Sequence, residues 1–192
     1  MDRPVRPRRR HARRLGIAFF MNIVLIGYRG TGKSTIGKVL ATKLGRGLVS
    51  TDKEIVRRAG RSIPEIVSEH GWEHFRDLES EVCRDLAGQD NLVIDTGGGA
   101  ILRQENVDVL KQHGVLFWLT ASVETIAGRI GGDTHRPSLT GTKSFVEEIQ
   151  EVLRERIPTY QRAADHVLPT DGQSIDQLVA NILDLIKPVA DL

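Results

Sequence analysis

The stretch Met21-Asn-Ile-Val-Leu-Ile-Gly27-Tyr-Arg-Gly-Thr-Gly32-Lys33-Ser34 decides the fold of this 192-residue chain. Its first six residues form a short, mostly apolar run, which predicts a buried strand. The eight residues from Gly27 to Ser34 match the pattern G-x-x-x-x-G-K-[ST], and the apolar spacing of Lys33–Leu44 predicts a helix directly after it. A strand, a glycine-rich loop and a helix in this order predict a phosphate-binding loop, in which backbone N–H groups and the helix N-terminus face phosphate oxygens.

Beyond this stretch, short apolar runs alternate with helix-like segments, a pattern that predicts parallel strands joined by crossover helices. The predicted strands are Met21–Ile26, Gly47–Ser50, Leu92–Asp95, Val115–Leu119 and His166–Leu168. The predicted helices are Lys33–Leu44, Asp52–Ala59, Ser62–His70, Trp72–Ala87, Gln104–Gln112, Val123–Ile130, Lys143–Tyr160 and Ile175–Ile186. We therefore expect an α/β fold of three layers, in which a five-stranded parallel sheet has helices on both faces.

Composition and charge narrow the class of protein. With 40% hydrophobic and 27% charged residues and no run of about eighteen apolar residues, the chain is typical of a globular protein that does not cross a membrane. Seven of its 27 basic residues, all arginines, lie in residues 1–20. We expect residues 1–20 to be a disordered basic extension, or to precede a true start at Met21, and residues 21–192 to form one domain. Because that domain is mildly acidic, we expect no nucleic-acid partner. We also expect no membrane partner and predict a cytoplasmic monomer.

Two glycine-rich segments indicate where ligands bind. In the phosphate loop, Lys33 is predicted to reach the β- and γ-phosphates of a nucleotide, and the Ser34 hydroxyl is predicted to bind Mg²⁺. The second segment, Thr96-Gly97-Gly98-Gly99-Ala100, follows the third predicted strand. Three glycines let a ligand approach the backbone closely at the end of a parallel strand, where α/β proteins bind ligands. A plain flexible turn is the alternative for this segment.

Phosphoryl transfer to an alcohol needs a carboxylate that orients the hydroxyl and cations that offset charge. Asp52 follows the second strand and is our candidate for that carboxylate, although its position also suits a helix N-cap. Arg76 and Arg156 are candidates for gripping an anionic acceptor with their guanidinium forks; solvated helix charges are the alternative. Arg136 lies in the glycine-flanked segment 131–141, which suits a mobile lid over the phosphates or an exposed loop.

Over about residues 21–187, the chain resembles the shikimate kinase family in the order and spacing of its motifs. These motifs are GYRGTGKST, STD, GRSIPEI, FRDLE, TGGGA, GGDTHRP and RIPTY. The resemblance implies a P-loop kinase fold with a mobile lid. It also implies transfer of the ATP γ-phosphate to the 3-hydroxyl of shikimate, a step of aromatic amino-acid biosynthesis.

The resemblance further implies roles for individual residues. The residues that would hold the phosphates of ATP are Gly30, Thr31, Gly32, Lys33, Ser34 and Thr35. The residues that would bind shikimate are Asp52, Arg76, Gly97, Gly98, Gly99 and Arg156, with Asp52 facing the reacting hydroxyl. Arg136 would be the lid arginine on ATP, and Arg129 and Gln173 would lie near the adenine.

The triplet Ser50-Thr51-Asp52 departs from the family pattern. The family usually has Asp-Thr-Asp there, and its first acid helps to hold Mg²⁺ through water. A serine cannot supply that negative charge. Asp95 ends the third predicted strand, where the family commonly has a small or neutral residue. We hypothesise that Asp95 replaces the absent carboxylate in the outer shell of the metal, the alternative being that it caps the glycine turn.

Three other functions compete with this interpretation. The nearest alternative is a small-molecule kinase whose acceptor is gluconate or a nucleoside monophosphate, although the three glycines and two arginine motifs argue against this. The missing acid would fit a non-catalytic nucleotide-binding module, which retention of Lys33, Ser34, Asp52 and Arg136 disfavours. The arginine-rich residues 1–20 would fit a nucleic-acid or membrane-surface accessory protein.

Overall fold

Residues 21–130 and 145–187 are described by the computed structural model. The predictions for residues 1–20, for the lid and for Arg136 fall outside these residues. The strands are β1 Asn22–Ile26, β2 Gly47–Ser50, β3 Leu92–Asp95, β4 Gly114–Thr120 and β5 His166–Pro169. The helices are α1 Lys33–Leu44, α2 Thr51–Ala59, α3 Ile63–Ala87, α4 Gln104–Gln112, α5 Val123–Ile130, α6 Phe145–Ala163 and α7 Ile175–Leu185.

The strands form one sheet in the order β2-β3-β1-β4-β5, and every neighbouring pair is parallel. The five-stranded parallel sheet predicted from the sequence is therefore confirmed. Strand β4 extends one residue beyond the prediction at each end. The reason is pairing, because Gly114 is in register with Asn22 of β1 and Thr120 with Pro169 of β5.

Several helix boundaries also differ from the prediction, by one residue at the start of α2, the start of α3 and the end of α7 and by more in two places. The predicted helices Ser62–His70 and Trp72–Ala87 form one run, α3, which is interrupted at Gly71. The φ of 80° and ψ of 172° at Gly71 are not helical, so the interruption predicted at this glycine is present as a kink. Helix α6 continues to Ala163, past the predicted end at Tyr160.

Alternate residues of the strands pack against two opposite layers of helices. Val24 and Ile26 of β1 belong to an apolar cluster that includes side chains of α3, α4 and α6. Ile23 and Leu25 belong to a second cluster with side chains of α1 and α7. Because both faces are covered, all five residues of β1 are buried, as is usual for a parallel strand. None of the described helices has the length and apolar content needed to cross a bilayer.

The carboxyl ends of β1, β2 and β3 lie side by side at one edge of the sheet. Asp95 at the end of β3 is in register with Leu25 on one side and with Ser50 on the other. The phosphate loop follows β1, helix α2 follows β2, and the glycine cluster 97–99 follows β3. The fold therefore brings the phosphate loop, the start of α2 and the glycine cluster to the edge where α/β proteins bind ligands.

Candidate active site

The phosphate loop has backbone conformations that require glycine. Gly27 and Gly30 have φ angles of 141° and 80°, which side chains with a Cβ rarely adopt. A Cβ on Gly27 would also collide with the carbonyl oxygen of Leu119, and one on Gly30 would lie 2.8 Å from Cγ2 of Ile130. These glycines therefore let the loop pass close to β4 and α5 before it enters the N-terminus of α1.

The Lys33 side chain lies along the phosphate loop. It is almost fully buried, and its Nζ donates to the carbonyl oxygens of Gly27 at 2.8 Å and Tyr28 at 3.0 Å. These bonds hold a positive charge inside the loop. Thr31 is also buried, and its hydroxyl donates to the carbonyl oxygen of Tyr28 at 2.8 Å. The Thr31 side chain is therefore used within the loop itself.

A cavity of about 470 Å³ opens over the phosphate loop, a size typical of small-molecule sites. Its lining residues in the described chain are Arg29, Gly30, Gly32, Lys33, Ser34, Thr35, Ser50, Asp52, Lys53, Asp95, Thr96, Gly98, Arg129 and Ile130. Arg129 reaches the loop, because its Nη1 donates to the carbonyl oxygen of Gly30 at 3.1 Å. Gln173 is not among these lining residues, and its Nε2 donates to the carbonyl oxygen of Pro169 at 2.9 Å. We call this space the loop cavity.

A carboxylate lies against the phosphate loop at the end of β3. Oδ2 of Asp95 accepts a hydrogen bond from Oγ of Ser34 at 2.5 Å, and Asp95 is buried. Its neighbour on β2, Ser50, is the N-cap of α2, with Oγ accepting from the backbone N of Lys53 at 3.5 Å. The N-cap alternative for Asp52 is therefore wrong, because Asp52 lies in the first turn of α2.

The outer glycines of the 97–99 cluster make room for charged side chains. A Cβ on Gly97 would lie 2.5 Å from Oδ1 of Asp52 and 2.7 Å from Oε1 of Glu79. A Cβ on Gly99 would overlap the guanidinium group of Arg76. These glycines therefore let charged side chains approach the backbone closely, whereas the close approach of a ligand stays a prediction.

Gly98 joins the glycine cluster to the phosphate loop and to α6. A Cβ on Gly98 would lie 3.4 Å from the carbonyl oxygen of Gly27 and 3.6 Å from the backbone N of Arg29. The Gly98 carbonyl oxygen accepts hydrogen bonds from Nη1 of Arg156 at 3.2 Å and from the hydroxyl of Tyr160 at 2.5 Å. Three elements that are distant in sequence therefore meet at this glycine.

A second cavity, which we call the acceptor cavity, lies between the glycine cluster and α3. Its lining residues in the described chain are Tyr28, Arg29, Asp52, Ile63, Trp72, Phe75, Arg76, Glu79, Gly97, Gly98, Gly99 and Arg156. Arg29, Asp52 and Gly98 line both cavities. The two cavities therefore adjoin, and a carboxylate stands at their boundary.

Arg76 is held rigidly at the wall of the acceptor cavity. Its Nη1 donates to Oε2 of Glu79 at 2.5 Å, and its guanidinium carbon lies 5.5 Å from the Trp72 ring centroid and 5.2 Å from that of Phe75. Glu79 is fully buried, and burial raises its pKa against the opposing effect of the Arg76 charge. A guanidinium group fixed in this way is well placed to bind an anionic ligand in the cavity.

Comparison with known proteins identifies the family. The family model described as shikimate kinase matches residues 29–187. This chain belongs to the shikimate kinase family. The shikimate kinase of Nitratidesulfovibrio vulgaris is 45% identical over 153 residues, which cover 78% of this chain and 87% of that protein. The shikimate kinase of Pelotomaculum thermopropionicum is 43% identical over 166 residues, which cover 86% of this chain and 95% of that protein.

Solved structures of shikimate kinases have the same fold. The shikimate kinase of Acinetobacter baumannii in complex with shikimate is 35% identical, with a TM-score of 0.83, and the match covers 88% of this chain and 94% of that one. The enzyme of Bacteroides thetaiotaomicron is 29% identical, with a TM-score of 0.79, and the match covers 87% and 98%. The predicted family and fold are therefore confirmed.

In this shikimate kinase family member, most of the predicted site residues line one of the two cavities. Those lining the loop cavity are Gly30, Gly32, Lys33, Ser34, Thr35, Asp52, Asp95, Gly98 and Arg129. Those lining the acceptor cavity are Asp52, Arg76, Gly97, Gly98, Gly99 and Arg156. Thr31 and Gln173 line neither, and Arg136 lies outside the described residues. The roles assigned to these residues stay predictions.

Sequence patterns did not indicate several residues that line the acceptor cavity or contact its lining residues. Glu79 binds Arg76 from three positions further along α3, and Tyr160 lies four positions after Arg156 on α6. Residues three or four apart share one face of a helix, so this spacing was the available signal. Arg29 gave no such signal, because its position in the loop pattern accepts any residue.

Proposed function

We propose that this chain transfers the γ-phosphate of ATP to the 3-hydroxyl of shikimate and releases ADP and shikimate 3-phosphate. The similar structure from Acinetobacter baumannii is described as a complex with shikimate. The observation that carries the proposal is the shared boundary of the loop and acceptor cavities at Asp52 and Gly98. A phosphate group in one cavity and an alcohol in the other would meet there, as direct transfer requires.

On the nucleotide side, the loop would hold the phosphates of ATP by its backbone N–H groups. The loop residues in this role are Gly30, Thr31, Gly32, Lys33, Ser34 and Thr35. Lys33 would offset the charge on the β- and γ-phosphates, because its ammonium group already lies within the loop. Arg129 would lie near the nucleotide base, and its contact with the Gly30 carbonyl supports a place beside the loop. Gln173 and Arg136 remain proposed contacts of the adenine and the phosphates.

Ser34 and Asp95 would hold Mg²⁺ beside the phosphates. Hydroxyl and carboxylate oxygens suit this ion, and the 2.5 Å hydrogen bond keeps the two side chains together. Bound Mg²⁺ neutralises charge on the phosphate oxygens. Among the described residues, no group of three or more His, Cys, Asp and Glu side chains could hold a metal alone, so water and phosphate oxygens would complete the shell. Asp95 would supply the charge that its neighbour Ser50 lacks.

On the acceptor side, Asp52 would orient the 3-hydroxyl of shikimate and accept its proton. Arg76 and Arg156 would bind the shikimate carboxylate, because both guanidinium groups line the acceptor cavity. Gly97, Gly98 and Gly99 would let the sugar-like ring approach the backbone. We also propose that residues 21–192 act as one domain, as a monomer in the cytoplasm.

The direct test is ADP production at fixed ATP and Mg²⁺, with and without shikimate, using the full chain. Gluconate and a nucleoside monophosphate serve as alternative acceptors under the same conditions. We expect ADP release to depend on shikimate and the product to carry one phosphate on the 3-oxygen, as read by phosphorus and proton NMR. Turnover with gluconate or the nucleotide but not shikimate would favour the related kinases, and no turnover with any acceptor would favour a binding module.

A further inference from the structure

Arg29 stands where the two cavities meet. It occupies the third position of the phosphate loop, and its backbone N lies 3.6 Å from the point that a Cβ on Gly98 would occupy. Among the cationic residues of the described chain, Arg29 alone lines both the loop cavity and the acceptor cavity. Its side chain is about one-fifth exposed, and the residue lines both cavities.

The guanidinium group of Arg29 is only loosely held. Its Nη2 donates to Oε1 of Glu148 at 3.3 Å, whereas charge-assisted bonds of this kind are typically about 2.7–2.9 Å. Its Nε is buried and has no hydrogen-bond partner in the described part of the chain. The group rests 5.7 Å from the Tyr28 ring centroid and 5.8 Å from that of Phe145. A buried donor of a charged group that lacks a partner is costly, so its retention calls for a functional explanation.

We propose that Arg29 is a catalytic residue that donates hydrogen bonds to the γ-phosphoryl group while that group passes between the cavities. This inference rests on the proposed function. A guanidinium group has five N–H donors, and the single bond to Glu148 leaves others for a phosphoryl oxygen. Glu148 is almost fully buried on α6, so it would act as the positioning residue that keeps Arg29 directed toward the boundary.

The chemistry of the transfer indicates that Arg29 stabilises the transition state. The bond between the γ-phosphorus and the bridging oxygen of ADP breaks, the bond to the 3-oxygen of shikimate forms, and the hydroxyl proton passes to Asp52. In the transition state, charge spreads over the three equatorial oxygens of the transferring group. A guanidinium group at the boundary contacts those oxygens most strongly at that point. Loss of Arg29 should therefore lower kcat and leave ground-state binding of either substrate nearly unchanged.

The test compares Arg29→Gln and Arg29→Lys with the wild type. Arg162→Gln is the matched control, because Arg162 is an exposed arginine whose described hydrogen bond is to Thr159. We expect Arg29→Gln to lower kcat by on the order of 10²–10³-fold, with both KM values within threefold. Affinity for ADP with aluminium fluoride and shikimate, a mimic of the transferring group, should fall by a similar factor. Affinity for ADP alone should stay within threefold, and Arg29→Lys should recover part of kcat.

The outcomes separate this proposal from the proposed function. If the wild type phosphorylates shikimate and Arg29→Gln keeps kcat within threefold of the wild-type value, the role of Arg29 is overturned but the proposed function stands. An equal loss of affinity for ADP and for the aluminium fluoride complex would also overturn the role of Arg29, because that result indicates a structural role in the loop. Absence of shikimate turnover in the wild type would end both proposals. If Arg29→Gln does not fold, as judged by its thermal unfolding, Arg29→Lys decides, with an expected loss in kcat of about tenfold.

Discussion

Replacing Gly97 with alanine should impair turnover while leaving the fold intact. The added Cβ would lie 2.5 Å from Oδ1 of Asp52, whereas ordinary van der Waals contact begins at 3.4 Å. Asp52 would therefore have to withdraw by about 0.9 Å, the difference between these distances. On the other side, Oε1 of Glu79 would lie 2.7 Å away, and Glu79 is fully buried and bound to Arg76. The backbone therefore cannot relieve the contact by moving toward Glu79.

A displacement of about 1 Å in a group that orients a reactant typically costs on the order of 10²-fold in rate. We therefore expect Gly97→Ala to lower kcat for shikimate phosphorylation by about that factor. The KM for ATP should change little, because Gly97 does not line the loop cavity. Steady-state kinetics with a coupled assay for ADP measures both quantities.

Gly88→Ala provides the matched control for this experiment. Gly88 is exposed beyond the end of α3, and a Cβ there would meet its nearest atoms at 3.6 and 3.9 Å, which is ordinary contact. Its kcat should equal that of the wild type. If Gly97→Ala also keeps kcat within threefold of the wild type, the position of Asp52 does not limit the rate, and our account of the glycine cluster is wrong.

Three further changes test other parts of the site and the fold. Asp95→Ala should raise the Mg²⁺ concentration for half-maximal rate by about 10–100-fold, and an unchanged Mg²⁺ requirement would contradict its role near the metal. Arg76→Ala should raise the KM for shikimate by about tenfold or more with little change in the KM for ATP, and equal shikimate affinity would refute its role. Hydrogen bonds from Arg57 and Arg58 lower the pKa of Glu54 to about 2, so this carboxylate stabilises the fold above its ordinary pKa and loses that effect as the pH falls toward 2. In Glu54→Gln, Tm should therefore fall less between about pH 5 and 2 than it does in the wild type. The contribution lost is no more than about 1 kcal/mol of unfolding free energy, because the pair lies near the surface. A Tm that depends on pH as in the wild type would exclude this contribution.

The order of strands and helices was predictable because each element carries its own local signal. Each of the strands β1 to β5 contains adjacent apolar residues, and the phosphate loop pattern fixes the first crossover. Strand ends were less predictable, since Gly114 and Thr120 join β4 only through pairing with neighbouring strands. Helix α6 likewise ends later than its apolar spacing indicates.

Within the site, the sequence identified residues with distinctive types and missed those defined by contact. The glycine cluster and Asp95 were predicted from motif and strand position, and the structure places them beside Asp52 and Ser34, respectively. Glu79 lies three positions after Arg76 on α3, a spacing that indicates an ion pair, but its burial depends on packing of α3 against other elements, which no local pattern encodes. The same holds for the Arg29 guanidinium, whose surroundings come from α6, more than a hundred residues away.

Helix α6 touches both halves of the site, which has a consequence for inhibition. Near its beginning, Glu148 accepts a long hydrogen bond from Arg29 of the phosphate loop, and nearer its end Arg156 and Tyr160 donate to the Gly98 carbonyl oxygen. Arg156 follows Glu148 by eight residues, or about 12 Å along α6. A compound that pushes one end of α6 outward should also displace the other end. It should therefore compete with both substrates although it overlaps only one of them. Each substrate should change the affinity for the compound by the same factor by which the compound changes the affinity for that substrate.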